Sequence, residues 1–194
     1  MTRTSGWPAI LLAAAALAGC GSSPATHFYT LSPPAEPARA EAKAPGVIAI
    51  GAVTVPEGID RPQIVLRTGA NQVSISEFER WSGPLRDEIA RTIAENLRSQ
   101  LGASVFVYPL SADVHAGVRL IVDVQRFDSA LGEAATVEVL WQLSPAKGAL
   151  RSGRSSVREP AGGPGYGDLV AAHGRALAAV SRDIAAAIRA MPSP

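Results

Sequence analysis

The side chains that could do acid–base, nucleophilic or metal chemistry are few in this sequence and widely spaced. It contains one cysteine, Cys20, and three histidines, His27, His115 and His173. No histidine has a second ligand at the spacing that a zinc site uses, and no G-x-S-x-G elbow presents a serine. The glycine-rich run 162–167 lacks the Lys-Ser/Thr pair of a phosphate loop. The sequence therefore predicts a protein that is not an enzyme and that binds no metal or other dissociable cofactor.

One catalytic alternative stays open at this stage. A lipid hydrolase could combine a serine without a recognisable motif with His173 or His115. His173, however, falls on the inward stripe of a predicted helix, where a buried structural histidine is the competing interpretation.

The position of the single cysteine is explained by the residues before it. The apolar run 10–17 is shorter than the roughly 20 residues that span a membrane as a helix, and it has the form of a secretory signal peptide. Leu17, Ala18, Gly19 and Cys20 resemble the bacterial lipobox, in which the cysteine is joined to diacylglycerol and its amino group is acylated. A lone thiol would otherwise be an oxidation liability in an exported protein. The alternative is an ordinary cleavage site at which Cys20 is only a small residue.

A lipidated Cys20 predicts a particular organisation and location. We expect a signal peptide at 1–19, a lipidated tether at 20–26, and one domain at 27–194 with a variable Pro/Ala-rich loop at 32–46. The residues between Cys20 and the domain reach at most about 20 Å, so the domain should lie close to the membrane. Gly21 replaces the Asp that resembles an inner-membrane retention signal. The predicted location is therefore the periplasmic face of the outer membrane.

The charge balance limits the partners. The chain has 18 basic and 17 acidic side chains. This balance argues against nucleic acid as a partner and against a polybasic patch for anionic lipid.

Hydrophobic periodicity predicts strands and helices in an α+β order. Strands are expected at 27–31, 47–55, 63–69, 71–78, 103–108, 117–128, 136–143 and 150–157. The continuous apolar run at 47–55 is typical of a central strand covered on both faces. The last three strands, with short connections, predict an antiparallel meander.

Two helices complete the pattern. The first is capped by Ser82, has Pro84 in its first turn and ends at Gly102; its apolar stripe consists of Leu85, Ile89, Ile93, Leu97 and Leu101. The second covers 168–190, with an inward stripe of Leu169, His173, Leu177, Val180, Ile184 and Ile188. The predicted fold is a largely antiparallel or mixed sheet with two long helices on one face.

Two groups of residues suggest a partner interface. Arg175, Arg182 and Arg189 recur every seven residues, so they share one face of the second helix. Arg80 and Trp81 stand just before the first helix, and both residue types are favoured at protein interfaces. The alternatives are a solvated helix face for the arginines and a staple on the helix start for Trp81.

The region 47–101, with an upstream FYTL, resembles a known family. Its matching features are Phe28-Tyr29-Thr30-Leu31, Pro56, Asp60-Arg61-Pro62-Gln63, Arg67-Thr68-Gly69, Asn71, Phe78, Arg80-Trp81 and Leu85. Together they are similar to the PqiC family, the ABC-type transport auxiliary lipoproteins. The resemblance implies a fold like the amino-terminal domain of TolB.

The same resemblance implies a function. The protein would be a non-catalytic, outer-membrane-anchored subunit of an intermembrane lipid transport system, docking the periplasm-spanning MCE component. A homo-oligomer, including a ring, would suit such a conduit. The competing hypothesis of another class is a structural envelope lipoprotein that grips the cell wall, with the lipid hydrolase third.

Overall fold

A computed structural model describes residues 24–34, 46–108 and 115–191. The predicted signal peptide and the lipobox, Leu17 to Cys20, lie outside the described residues. So do the first part of the tether and most of the predicted 32–46 loop.

Eight strands and two long helices form in the order that the sequence predicts, with ends shifted by a few residues. They are β1 (His27–Tyr29), β2 (Val47–Thr54), β3 (Gln63–Gly69), β4 (Gln72–Trp81), α1 (Leu85–Leu101), β5 (Ser104–Val107), β6 (Val118–Ala130), β7 (Ala134–Pro145), β8 (Arg151–Pro160) and α2 (Tyr166–Arg189).

The predicted α+β fold is confirmed, and its sheet is mixed. The β3–β4 hairpin and the β6–β7–β8 meander are antiparallel, whereas β1–β4, β2–β5, β2–β6 and β3–β6 pair in parallel. Strand β7 follows one edge of β6 along its whole length. Strands β2 and β3 must therefore share the other edge, with β3 meeting β6 only near its end, where Leu66 is opposite Ser129.

Both helices cover one face of this sheet, as predicted. Every residue of the two predicted apolar stripes is buried. Helix α1 packs on β2 and β5, and α2 packs on β7, β8 and α1. The buried side chains of sheet and helices form one continuous hydrophobic cluster, and its burial is the main contribution to stability.

Two local expectations need correction. Ser82 does not cap α1: Pro84 occupies the cap position, and the Ser82 hydroxyl instead donates to the Glu88 carboxylate at 3.0 Å. Strand β2 is buried on both faces only at residues 48–50, whereas Ala52 and Thr54 in its second half are exposed. The predicted helix end is confirmed, since Gly102 has φ 61° in the left-handed region.

Candidate functional site

His173 lies in the core and not in a cleft. Its ring is fully buried, stacks on Phe127 at 3.9 Å between centroids and meets Trp81 edge-on at 6.4 Å. Burial lowers the pKa of His173 to about 3, although the Asp128 carboxylate opposes the shift. The imidazole is therefore neutral at physiological pH.

A serine does meet this histidine, although no sequence motif identifies which serine it is. Ser129 Oγ lies 2.8 Å from His173 Nε2, a distance at which a histidine can activate a nucleophile. Both residues are almost fully buried, and His173 Nδ1 has no hydrogen-bond partner in the described chain. Among the described residues no carboxylate orients the imidazole, and no solvent reaches the serine. The contact between them therefore has the features of a hydrogen bond within the core.

The other two histidines lie apart from this pair, and the described segments contain no metal-binding cluster. His115 is exposed, and His27 bonds Glu79 at the sheet edge. Within residues 24–34, 46–108 and 115–191, no three His, Cys, Asp or Glu side chains are grouped to hold a metal ion. Over the same residues, neither helix has the length and hydropathy needed to cross a membrane.

The structure separates the two predicted interface residues before α1. Trp81 is only 4% exposed and packs in the core with Phe127, so it is not available to a partner and its prediction as an interface residue is wrong. Its neighbour in β4, Arg80, points to the opposite face because side chains alternate along a strand. Arg80 is half-buried and donates to the Glu77 carbonyl at 3.3 Å.

The three spaced arginines do line one side of α2, and Arg175 and Arg189 have intramolecular roles. Arg175 bonds the Glu159 carboxylate and the Pro160 carbonyl at the end of β8. Arg189 donates to the Gln100 carbonyl at 2.7 Å and so joins the ends of the two helices. Arg182 is exposed. The arginine line therefore ties α2 to its neighbours and is a poor match to a free binding stripe.

The segment that follows β1 crosses the helix layer as a strap, which we define as residues 30–34. Leu31 is buried; its amide donates to Glu88 Oε2 at 3.3 Å, and its carbonyl accepts from Thr92 at 3.3 Å. A side chain at Gly174 would place its first carbon 2.4 Å from the Ser32 carbonyl oxygen. The strap can therefore cross α2 only because residue 174 is glycine.

Strand β1 pairs in parallel with β4 at the edge of the sheet, and one carboxylate adds side-chain contacts between the two strands. Glu79 accepts from Tyr29 at 2.6 Å and contacts His27 Nδ1 at 2.9 Å. Burial, followed by the hydrogen bond to Glu79, raises the pKa of Tyr29 to about 12. The hydrogen bonds from Tyr29 and His27 lower the pKa of Glu79. The chain thus enters the domain at a fixed point on the β4 edge.

The face of the sheet away from the helices carries an ion ladder, which we define as Arg67, Asp128, Arg126, Glu138 and Arg154. Arg67 binds Asp128 through two bonds of 2.7 and 3.0 Å, and Arg126 reaches the same carboxylate at 2.5 Å. Glu138 continues the ladder to Arg126 at 3.7 Å and to Arg154 at 2.6 Å. Burial raises the pKa of Asp128, but the hydrogen bonds from Arg67 and Arg126 outweigh it and the pKa is lowered. Sequence reasoning missed this ladder because its members come from four strands.

A cavity of about 290 Å³ opens at the end of the sheet where β6 begins. Its walls are mostly small and apolar, with Lys147 and Arg151 as the charged members and Met191 closing one side.

Several solved structures match this chain, and they include two crystal structures of similar fold. A crystal structure of a protein described as uncharacterized superposes with TM-score 0.70 at 24% identity, covering 85% of this chain and 99% of that one. A crystal structure from Xanthomonas campestris gives TM-score 0.61 at 19% identity, covering 81% and 92% of the two chains. Identities this low establish the fold alone.

Sequence comparison goes further than the fold. No protein of curated function has significant similarity to this chain. The sequence model of one family matches residues 29–185, from β1 to near the end of α2. That family is described as the ABC-type transport auxiliary lipoprotein component, so the PqiC-like resemblance is confirmed and the chain belongs to this family.

Proposed function

We propose that the protein is a non-catalytic lipoprotein of the outer membrane that docks the periplasm-spanning MCE component of an ABC-type lipid transporter. The family match over residues 29–185 carries this proposal. It begins shortly after Cys20, the residue that we propose to be acylated.

Two features of the structure support the non-catalytic part. The Ser129–His173 pair is sealed in the core, so the hydrolase hypothesis loses its best candidate residues. The described surface instead offers an open sheet face with paired charges, which suits recognition of another protein better than bond breaking.

The test is a mild detergent extraction of the full-length protein and of Cys20→Ala from the same cells, followed by identification of the co-purifying proteins. We expect the wild type to retain an MCE-domain protein and the variant to leave the membrane fraction. Mass analysis of the wild type should show diacylglycerol and an N-acyl chain on residue 20. Native mass spectrometry of the same extract counts the copies, since assembly of several copies around a conduit is part of the proposal.

A matched control separates anchoring from folding. Ser129→Ala alters the buried pair but leaves the cysteine and the surface intact, and it should co-purify the same partner. Recovery of cell-wall proteins in place of a transporter component would contradict the docking role and favour the envelope hypothesis.

A further inference from the structure

Exposed apolar side chains cluster at the corner where the chain joins the sheet. We define the edge patch as Phe28 of β1 with Val73, Ile75 and Phe78 of β4. Their exposed fractions are 66%, 56%, 42% and 40% in that order. Large apolar side chains this exposed are common singly, but a contiguous group marks an interaction surface.

The register places all four on the face away from the helices. Val73 is opposite Arg67 and Ile75 is opposite Val65, and residues directly opposite in a ladder point to the same side. Ile64 and Leu66, which alternate with Val65 and Arg67 along β3, are buried on the helix side. Phe28 is opposite Arg80, which is itself opposite Gln63. The β3–β4 register shifts between Gln63 and Val65, and this irregularity brings Arg80, together with Phe78 two residues before it, to the same side as Ile75.

The chain reaches the domain at this corner. Strand β1 runs parallel to β4, and β4 starts at the hairpin turn after Gly69. The chain before His27 therefore approaches from the hairpin side, at the end of the sheet that holds Ser129. The opposite end, where β6 begins at Val118, is about 40 Å away at 3.3 Å per residue.

The length of the link to Cys20 fixes which end faces the membrane. Three residues, 21–23, lie between Cys20 and Pro24, the first described residue, so the four Cα–Cα steps of the link extend at most about 14 Å. An acylated Cys20 holds its own end of the link at the lipid surface. The edge patch then lies within reach of that surface, whereas the far end of β6 does not.

We propose that the edge patch lies against the lipid headgroup region, so that the anchored domain contacts the membrane through the corner formed by β1 and β4. This inference rests on the lipid anchor of the proposed function. Aromatic and β-branched side chains beside an arginine match the composition of interfacial contacts, with Arg80 next to Phe28 able to bind a lipid phosphate. None of the four patch residues is charged. The contact therefore needs no anionic lipid, in agreement with a chain whose charge is balanced.

The test places a fluorescent probe at the patch in the mature, acylated protein. Because Cys20 is acylated, the single free thiol in Gln72→Cys can carry an NBD label at the hairpin tip. The label in Ser156→Cys on β8 is the control, since Ser156 is exposed like Gln72 but lies opposite Glu138, across the sheet from the patch. Each protein is reconstituted into phosphatidylethanolamine–phosphatidylglycerol vesicles with or without brominated acyl chains.

We expect blue-shifted emission and loss of intensity with brominated lipid for the label at residue 72, and neither for residue 156. Adding Phe28→Ser and Phe78→Ser should abolish the quenching at residue 72 while the protein still floats with the vesicles. Flotation reports whether the lipid anchor is present, and quenching reports whether the patch contacts lipid. A failure of the anchor can therefore be distinguished from a failure of the patch contact. Protein that does not float overturns the anchor, and the patch contact with it.

Three results with floating protein would overturn the patch contact alone. The first is no quenching at residue 72. The second is a blue shift without quenching, which would mean that another copy or another protein covers the patch. The third is equal quenching in the double-serine variant.

Discussion

On the helix side of β6, Leu120, Val122 and Val124 are fully buried, whereas on its other side Arg119 and Ile121 are exposed. The covered face is held by apolar packing around the His173 cluster. The open face is held by charge pairs that run across four strands. One face therefore fixes the fold, and the other stays accessible for membrane or protein contacts.

The largest expected change in stability comes from comparing two neighbouring aromatic residues, one on each face of the sheet. Trp81→Ala leaves a cavity in the core and should lower the free energy of unfolding by about 3–5 kcal/mol. Phe28→Ala, on the exposed side, should change it by less than about 0.5 kcal/mol. Urea unfolding of both variants checks the difference, and similar losses would contradict the assignment of faces.

The buried histidine predicts a pH dependence of the covered face. The folded-state pKa of His173 lies below that of the unfolded chain, so the unfolded chain binds the proton first as the pH falls. Stability that is present above about pH 6.5 is lost toward about pH 3, which amounts to about 2 kcal/mol by pH 5. His173→Phe should remove most of the difference between unfolding at pH 7 and at pH 5. An unchanged difference would mean that His173 is protonated in the folded state.

The strap over α2 is tested by two glycine substitutions in the same helix. Gly174→Ala forces a carbon against the Ser32 carbonyl and should cost about 1–2 kcal/mol of unfolding free energy after the gain in helix propensity. Gly167→Ala meets no atom within 4 Å and should stabilise by about 0.4–1 kcal/mol. Thermal unfolding separates the two signs. A stabilising Gly174→Ala would show that the strap does not cross α2 there.

The ion ladder predicts the smallest effect. Asp128→Asn weakens the bonds to Arg67 and Arg126 and should cost about 1 kcal/mol, between the values for exposed and buried pairs. The difference in unfolding free energy between wild type and Asp128→Asn should be smaller in 1 M NaCl, because salt screens the attraction that the wild type has and the variant lacks. Glu57→Gln, at an exposed site away from the ladder, is the matched control and should be neutral in both salts.

Local pattern was enough to predict most of the fold. The stripes of α1 and α2 and the alternation in β6 each depend on residues near one another in sequence, so periodicity identifies them. The pairing of β2 and β3 with one edge of β6 could not be predicted, since a strand's sequence records which face is buried but not which neighbour it meets. Parallel pairing of β1 with β4 was missed for the same reason.

For the candidate site, too, features set by contiguous residues could be predicted, and features set by tertiary contacts could not. The proposed lipobox around Cys20, the lack of catalytic motifs and the family resemblance all follow from contiguous residues. The sequence allowed Trp81 to be either an interface residue or a core residue, because its exposure depends on residues that are distant in the chain. The packing of Trp81 with Phe127 and His173 shows that it is a core residue.

The sequence by itself determined the elements, the proposed anchor and the family, because each is written in short-range order. Only the tertiary structure decided that Ser129 and His173 form a sealed pair, that Arg67 and Arg154 end one ladder, and that the exposed apolar residues of β1 and β4 gather where the chain enters. Those juxtapositions join residues that are far apart in the chain, and sheet register brings them together.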